Sequence, residues 1–158
     1  TNSHTAAFLL THGARGISFS LESSLQDCSA IKRCFQERYA VDAPFFYTVY
    51  GRAELMLSEY CPINSVICNH TDRNCGLCRQ GAEYALLDVK QNRYPILCDE
   101  SCRTHILHYE VRNHIDSIPE AKQHGIQHFL CTFTMEGEAD CHRIITACKA
   151  QLQMKQGV

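Results

Sequence analysis

The chain has 158 residues, 45% hydrophobic and 20% charged, with 15 Lys and Arg against 17 Asp and Glu, a formal charge of −2. That length predicts one domain burying roughly two thirds of its unfolded surface, and the composition excludes a disordered tail. The longest apolar run, residues 6–10 (AAFLL), is too short for a membrane span or a signal-peptide core, and near-neutral charge makes no electrostatic case for nucleic acid beyond a local basic groove.

Residues 5–12 read as a helix that stops at Gly13. Residues 16–22 (GISFSLE) alternate Ile17, Phe19 and Leu21 as a strand would, and residues 25–39 put Leu25, Cys28, Ile31 and Phe35 on one helical face. Residues 44–49 (PFFYTV) are a second strand, running into Tyr50, Gly51 and Arg52. This helix–strand alternation is the kind that builds parallel sheets. Residues 59–79 have no sustained period and read as a loop, and residues 84–89 and 94–98 pair as a hairpin around Lys90, Gln91 and Asn92. Alternation then resumes, with a short helix over 117–124, a strand over 126–135 and a helix over 139–154. There is no internal repeat. The expected organisation is a single α/β domain over 1–158 with a cysteine-rich insertion over 59–103.

Cysteine is the anomaly, with eleven in the chain, about 7%. A chain this long does not need covalent staples, an odd count leaves a thiol over, and six of the eleven lie between Cys61 and Cys102. The reading is a reduced, cytoplasmic protein with one thiol-rich site. The chain opens at Thr1 rather than Met, which reads as a fragment or a processed form. Cys28, Cys34, Cys131, Cys141 and Cys148 sit in or beside periodic apolar patterns and read as small buried hydrophobes.

The other six need a different account. Cys75 and Cys78 form a Cys-x-x-Cys pair, a spacing that lets two thiolates chelate one metal or cluster from a tight turn. Cys61, upstream in the same loop, can supply a third sulfur and Cys102, after the hairpin, a fourth. Four thiolates suit a structural zinc or an iron–sulfur cluster. Cys98 ends a strand and reads first as structural, Cys68 reads as either core or ligand, and His70, His105 and His108 are near enough in sequence to replace a sulfur.

At these residues the chain resembles peptidase family U-32, the collagenase-like peptidases. The segment Tyr50-Gly-Arg-Ala-Glu-Leu-Met-Leu-Ser-Glu-Tyr-Cys61-Pro is similar to the family's "GR-x-x-LM…YCP". The likeness continues through Cys75-Gly-Leu-Cys78, Tyr84-Ala-Leu-Leu-Asp88, Tyr94-Pro-Ile and Cys102-Arg103, and spans residues 2–152. It implies part of a TIM-barrel-like parallel sheet, since an intact barrel needs roughly 200–250 residues. It also implies a four-iron four-sulfur cluster on Cys61, Cys75, Cys78 and Cys102. The activity implied is oxygen-independent hydroxylation of tRNA or rRNA bases or of a quinone precursor, with collagenase-like peptidase as the family's older label. The chain departs from the family at Val89, where Arg is usual after Asp88, and at His108, where Asn is usual.

A peptidase needs a nucleophile with its base or a metal-bound water, and neither Gly-x-Ser-x-Gly nor His-Glu-x-x-His occurs. A hydroxylase needs a redox centre and a pocket at the C-terminal ends of barrel strands. Glu22 closes the first strand and Arg52 the second, so these two are the candidate catalytic residues. Arg52 would bind an anionic co-substrate in a bidentate contact. The third possibility is a non-catalytic module in which zinc or a cluster holds the insertion together. Expected partners are RNA or a small anionic co-substrate, and the remainder of a barrel or another subunit; no membrane association is expected.

Overall fold

A computed structural model describes residues 2–68 and 75–153. In chain order the elements are α1 (Ser3–Thr11), β1 (Ile17–Ser18), α2 (Leu25–Tyr39), β2 (Phe45–Gly51) and β3 (Glu54–Ser58). A wide helical turn (Asn64–Cys68) and a 3-10 turn (Leu77–Arg79) precede β4 (Tyr84–Leu87), β5 (Arg93–Cys98) and β6 (Thr104–Leu107). Then come β7 (Arg112–Asn113), a 3-10 turn (Ile115–Ser117), α3 (Ile118–Gln123), β8 (His128–Cys131) and α4 (Glu138–Gln153). These divide into two units: Thr1–Gly51 with Arg112–Val158, and Arg52–Val111.

In the first unit, α2 starts where Ser24 and Asp27 satisfy each other's backbone. Asp27 N–H donates to Ser24 Oγ at 3.1 Å and Ser24 N–H donates to Asp27 Oδ2 at 3.1 Å, a reciprocal cap that removes two orphan donors. The helix ends at Ala40 in the left-handed region, φ 50°. It buries Leu25, Cys28 and Phe35. Phe35 lies 5.3 Å, centroid to centroid, from Phe45, which in turn stacks on Phe19 at 5.3 Å. Strand β2 is buried at six of seven positions, the near-continuous apolar run of a strand covered on both faces. It pairs in parallel with β1 (Ile17↔Phe45) and with β8 (Phe46↔His128), and its last two residues pair antiparallel with β7 (Tyr50↔Asn113, Gly51↔Arg112).

The second unit is one antiparallel sheet in the order β3-β6-β5-β4. Both of its hairpin turns are built alike. Asp88 accepts from the N–H groups of Lys90 (2.7 Å) and Asn92 (3.0 Å), and Asp99 from those of Ser101 (2.9 Å) and Arg103 (2.9 Å). The fourth residue of each turn is left-handed, Gln91 at φ 66° and Cys102 at φ 58°.

The fold is thus mixed α/β, but the TIM-barrel-like parallel sheet is not what forms. Parallel pairing is confined to β1, β2 and β8, one of the two sheets carries an antiparallel strand, and the other is antiparallel throughout. The reason is connection length. Parallel strands need crossovers of a dozen or more residues, and the turns joining β4 to β5 and β5 to β6 have about five. The expected strand over 16–22 shrinks to two paired residues. The expected loop and hairpin gain β3 in front and β6 behind. Cys34 is exposed, not buried, while Cys131 and Cys141 are only half-buried. No helix among the described residues is long and apolar enough to cross a membrane.

Candidate functional site

The cysteines of the second unit hang on its turns and strand ends. Cys61 follows β3, and the chain then coils into the Asn64–Cys68 turn. Asn64 N–H donates to Cys61 Sγ at 3.5 Å, and Ser65 donates to the Cys61 carbonyl through both N–H (3.2 Å) and Oγ (3.1 Å). Ile63, 3% exposed, anchors this coil. Cys75 leads into left-handed Gly76 (φ 69°), whose carbonyl accepts from Arg79 N–H at 3.0 Å and so bends Cys78 into the 3-10 turn. Cys102 occupies the fourth position of the Asp99 turn. Cys98 ends β5 opposite fully buried Thr104.

Cys98 lies close enough to two of these thiols to feel both. Burial, then the Cys61 thiol, then the Cys78 thiol push the Cys98 thiol up to about 12. Cys98, read from sequence first as structural, therefore lies near Cys61 and Cys78. The sequence signal for it was alternation along β5, where Tyr94, Ile96 and Cys98 share a face. Cys61, Cys75, Cys78, Cys98 and Cys102 are all half-buried, and none of them is in a disulfide. Among the described residues, however, no three His, Cys, Asp or Glu side chains converge closely enough to hold a single metal ion. The two observations are compatible. Tetrahedral zinc at Zn–S of about 2.3 Å would draw its sulfurs to about 3.8 Å apart, whereas a cluster spreads its thiolates over several irons. The Cys68 side chain and His70 lie outside the described residues.

Around Cys102 the electrostatics are strong. Arg103 donates to Asp99 Oδ2 from Nε at 2.7 Å and ion-pairs with it through Nη2 at 2.7 Å. The Arg103 backbone N–H, outweighing burial and helped by the guanidinium, holds the Asp99 carboxyl down to about 2. His105 lies between two carboxylates, Nδ1 at 2.8 Å from Glu54 Oε2 and Nε2 at 3.6 Å from Asp99 Oδ2. The Glu54 hydrogen bond raises its pKa above the usual imidazole value. Both ring nitrogens are thereby engaged by acids, not by a hydroxyl or thiol of the sort an acyl-transfer site requires.

Arg52 is committed to its own unit. Its Nη1 donates to the carbonyls of His108 (3.0 Å) and Tyr109, tying the start of β3 to the end of β6. Its Nε is buried with no partner among the described residues. The carbonyls it clamps belong to a ring cluster in which His108 stacks on Tyr109 at 4.6 Å and Tyr94 meets Tyr109 edge-on at 5.3 Å. Glu22 is in the first unit, exposed in the turn after β1, with its N–H donating to Ser20 Oγ at 3.3 Å.

The first unit holds a carboxylate that sequence reading missed. Past the C-terminal end of β8, Glu136 Oε2 accepts from the N–H groups of Thr134 (2.8 Å) and Met135 (3.1 Å), while Oε1 accepts from Tyr50 Oη at 3.1 Å. Burial works to raise its pKa, but these donors outweigh burial and hold the carboxyl below its ordinary value. Ligands of parallel α/β sheets collect at strand C-termini, which is where this pair lies. No sequence motif marks it, because Tyr50 and Glu136 meet only through the β2–β8 pairing.

Compared with known proteins, the model of one family, peptidase family U32, matches residues 1–154. No curated protein matches the chain, and no solved structure does.

Proposed function

Since the chain belongs to peptidase family U32, we propose that its second unit holds a four-iron four-sulfur cluster serving oxygen-independent hydroxylation of tRNA or rRNA bases. The observation that supports this reading is that the Cys98 thiol feels both Cys61 and Cys78, within a unit that also carries half-buried Cys75 and Cys102. Cys61, Cys75, Cys78 and Cys102 are the proposed ligands, with Cys98 in contention for one of the four places. Thiolates on turns fit the group, because such donors can shift to meet several irons while the sheet stays fixed.

When bound, the cluster supplies one-electron redox chemistry. The chain's own residues do the rest. Asn64 N–H donates to the Cys61 sulfur, the kind of contact that tunes cluster potential. The Asp99–Arg103 pair fixes the turn that presents Cys102. In the first unit, Tyr50 and ionised Glu136 stand past the C-terminal ends of the parallel strands β2 and β8 and in this proposal line the substrate end, with Glu22 nearby in sequence to β1. Arg52 supplies positive charge for an anionic co-substrate while its Nη1 stays on the His108 and Tyr109 carbonyls. Cytoplasmic location, an RNA partner and a further segment or subunit completing the wall belong to the same proposal.

The test is to purify the chain without oxygen, record its visible spectrum and quantify iron, sulfide and zinc. About four iron and four sulfide per chain, with a broad band near ~400 nm, supports the cluster. Serine at Cys61 or Cys78 should bleach it, and serine at Cys131 should not. One zinc without sulfide overturns the redox reading in favour of a structural module, and no metal at all returns the peptidase label. Nucleoside mass spectrometry of RNA from cells lacking the protein tests the substrate, with loss of a hydroxylated base as the expected result.

A further inference from the structure

The first unit contains a thiol pair that the cluster does not use. Cys131 is the last residue of β8 and Cys148 lies on the buried face of α4 beside Ile144. Their sulfurs are 3.5 Å apart. We propose that Cys131 and Cys148 are a modification site, a dithiol that closes to a disulfide when the protein meets a small hydroperoxide.

Distance and access both support this. A disulfide has its sulfurs about 2.05 Å apart, so closure requires an approach of about 1.5 Å from the 3.5 Å seen here. Cys131 is half-buried and Cys148 buried, so a small oxidant reaches Cys131 first. The Cys131 thiolate attacks the peroxide O–O bond, becoming a sulfenic acid and releasing water from hydrogen peroxide or an alcohol from an organic peroxide. The Cys148 sulfur then attacks the Cys131 sulfur and expels its oxygen as water. Two thiols lose two electrons and two protons, and one peroxide is reduced. Cys141, a helical neighbour, is occupied differently, with its thiol directed at the Glu136 carbonyl at 3.8 Å. Burial and the adjacent Cys148 thiol raise Cys131 to about 12, so closure is slow at neutral pH and quickens as the solution becomes more basic. Once formed, the bridge ties the end of β8 to α4 and confines the segment between them, which carries Glu136.

Peptide mapping of the intact chain decides the question. The protein as isolated is treated with hydrogen peroxide, alkylated and cut after Lys, Arg and Glu. Cleavage at Glu136 and Glu138 separates Cys131 from Cys141, so the bridge is assigned without any variant. The expected product is the Cys131 peptide joined to the Cys148 peptide, two hydrogens lighter than the separate thiols. Its rate of formation should rise about tenfold from pH 7 to pH 8, as thiolate fraction does below the pKa. Recovery of both peptides alkylated, after exposed Cys34 has been oxidised, overturns the proposal. So does a bridge to Cys141.

Discussion

Replacing Gly51 with alanine tests how the first unit's sheet is assembled. Gly51 has φ +139°, and a Cβ there would lie 2.6 Å from the Thr132 carbonyl oxygen and 3.0 Å from Thr132 Cβ. Neither atom is a flexible tip. The Thr132 backbone is held because its N–H donates to the Tyr50 carbonyl at 2.9 Å. Two costs add. Backbone strain at a conformation side chains avoid is about 1–3 kcal/mol, and crowding against fixed backbone is about 1–3 kcal/mol more. Gly51→Ala should therefore cost about 2–6 kcal/mol. Gly125 supplies the control. Its φ is +78° but nothing lies within 4 Å of its missing Cβ, so Gly125→Ala carries strain alone, about 1–2 kcal/mol. Urea unfolding followed by far-UV circular dichroism, at unchanged slope, measures both. If the two variants lose equal stability, the close approach of β2 to Thr132 is not what requires glycine, and the reasoning fails. The same clash explains in physical terms why glycine stands between Tyr50 and Arg52 in the segment that resembles the family.

Cys102 sits in the left-handed region, where glycine is cheaper by about 1 kcal/mol. Cys102→Gly should thus leave the metal-free protein at least as heat-stable as before while lowering bound iron; a fall in metal-free stability would contradict this. His105 has a raised pKa in the folded state, so its pairing with Glu54 contributes stability that is full below about 6.5 and lost as pH rises through the raised value. Glu54→Gln should flatten that decline in urea midpoints between pH 5.5 and pH 8.5, and an undiminished slope would count against the pairing. Ser24→Ala removes the reciprocal cap of α2 and should cost about 1 kcal/mol, with metal content unaltered because α2 belongs to the other unit.

What could be read from the sequence was decided locally. Helix α2 was legible to the residue because its cap, its apolar face and its end all lie within Ser24–Ala40. Strand β2 announced itself by a near-continuous apolar run, broken only at Thr48. Strand β3 did not, because Glu54–Ser58 is exposed along its length without alternation, and only its pairing with β6, some fifty residues on, makes it a strand. The segment over 16–22 alternates correctly, yet only Ile17 and Ser18 find a ladder partner, with Phe19 N–H making one further bond to Phe46. Cysteine chemistry divided the same way. The pair at Cys75 and Cys78 was visible as spacing, whereas the approach of Cys98 to Cys61 depends on how the hairpin closes. Cys34 was placed on a buried stripe by adjacency, but one position on a helix turns a side chain by about 100°, enough to put it in water.

The pairing of Gly51 with Arg112 has a consequence for how the chain could be cut and rejoined. Sixty residues leave the first unit and return to it at the two ends of one rung, so the entrance and the exit share a doorway. Closing that doorway with a two-residue hairpin turn such as Asn-Gly would splice β2 directly to β7 and delete every proposed ligand in one excision. A mixed sheet with its four helices would remain, keeping Tyr50, Glu136 and the Cys131–Cys148 pair. In that sense the sixty residues between Gly51 and Arg112 are an insertion that starts and ends at one rung, and removing them leaves the order of the remaining strands unchanged.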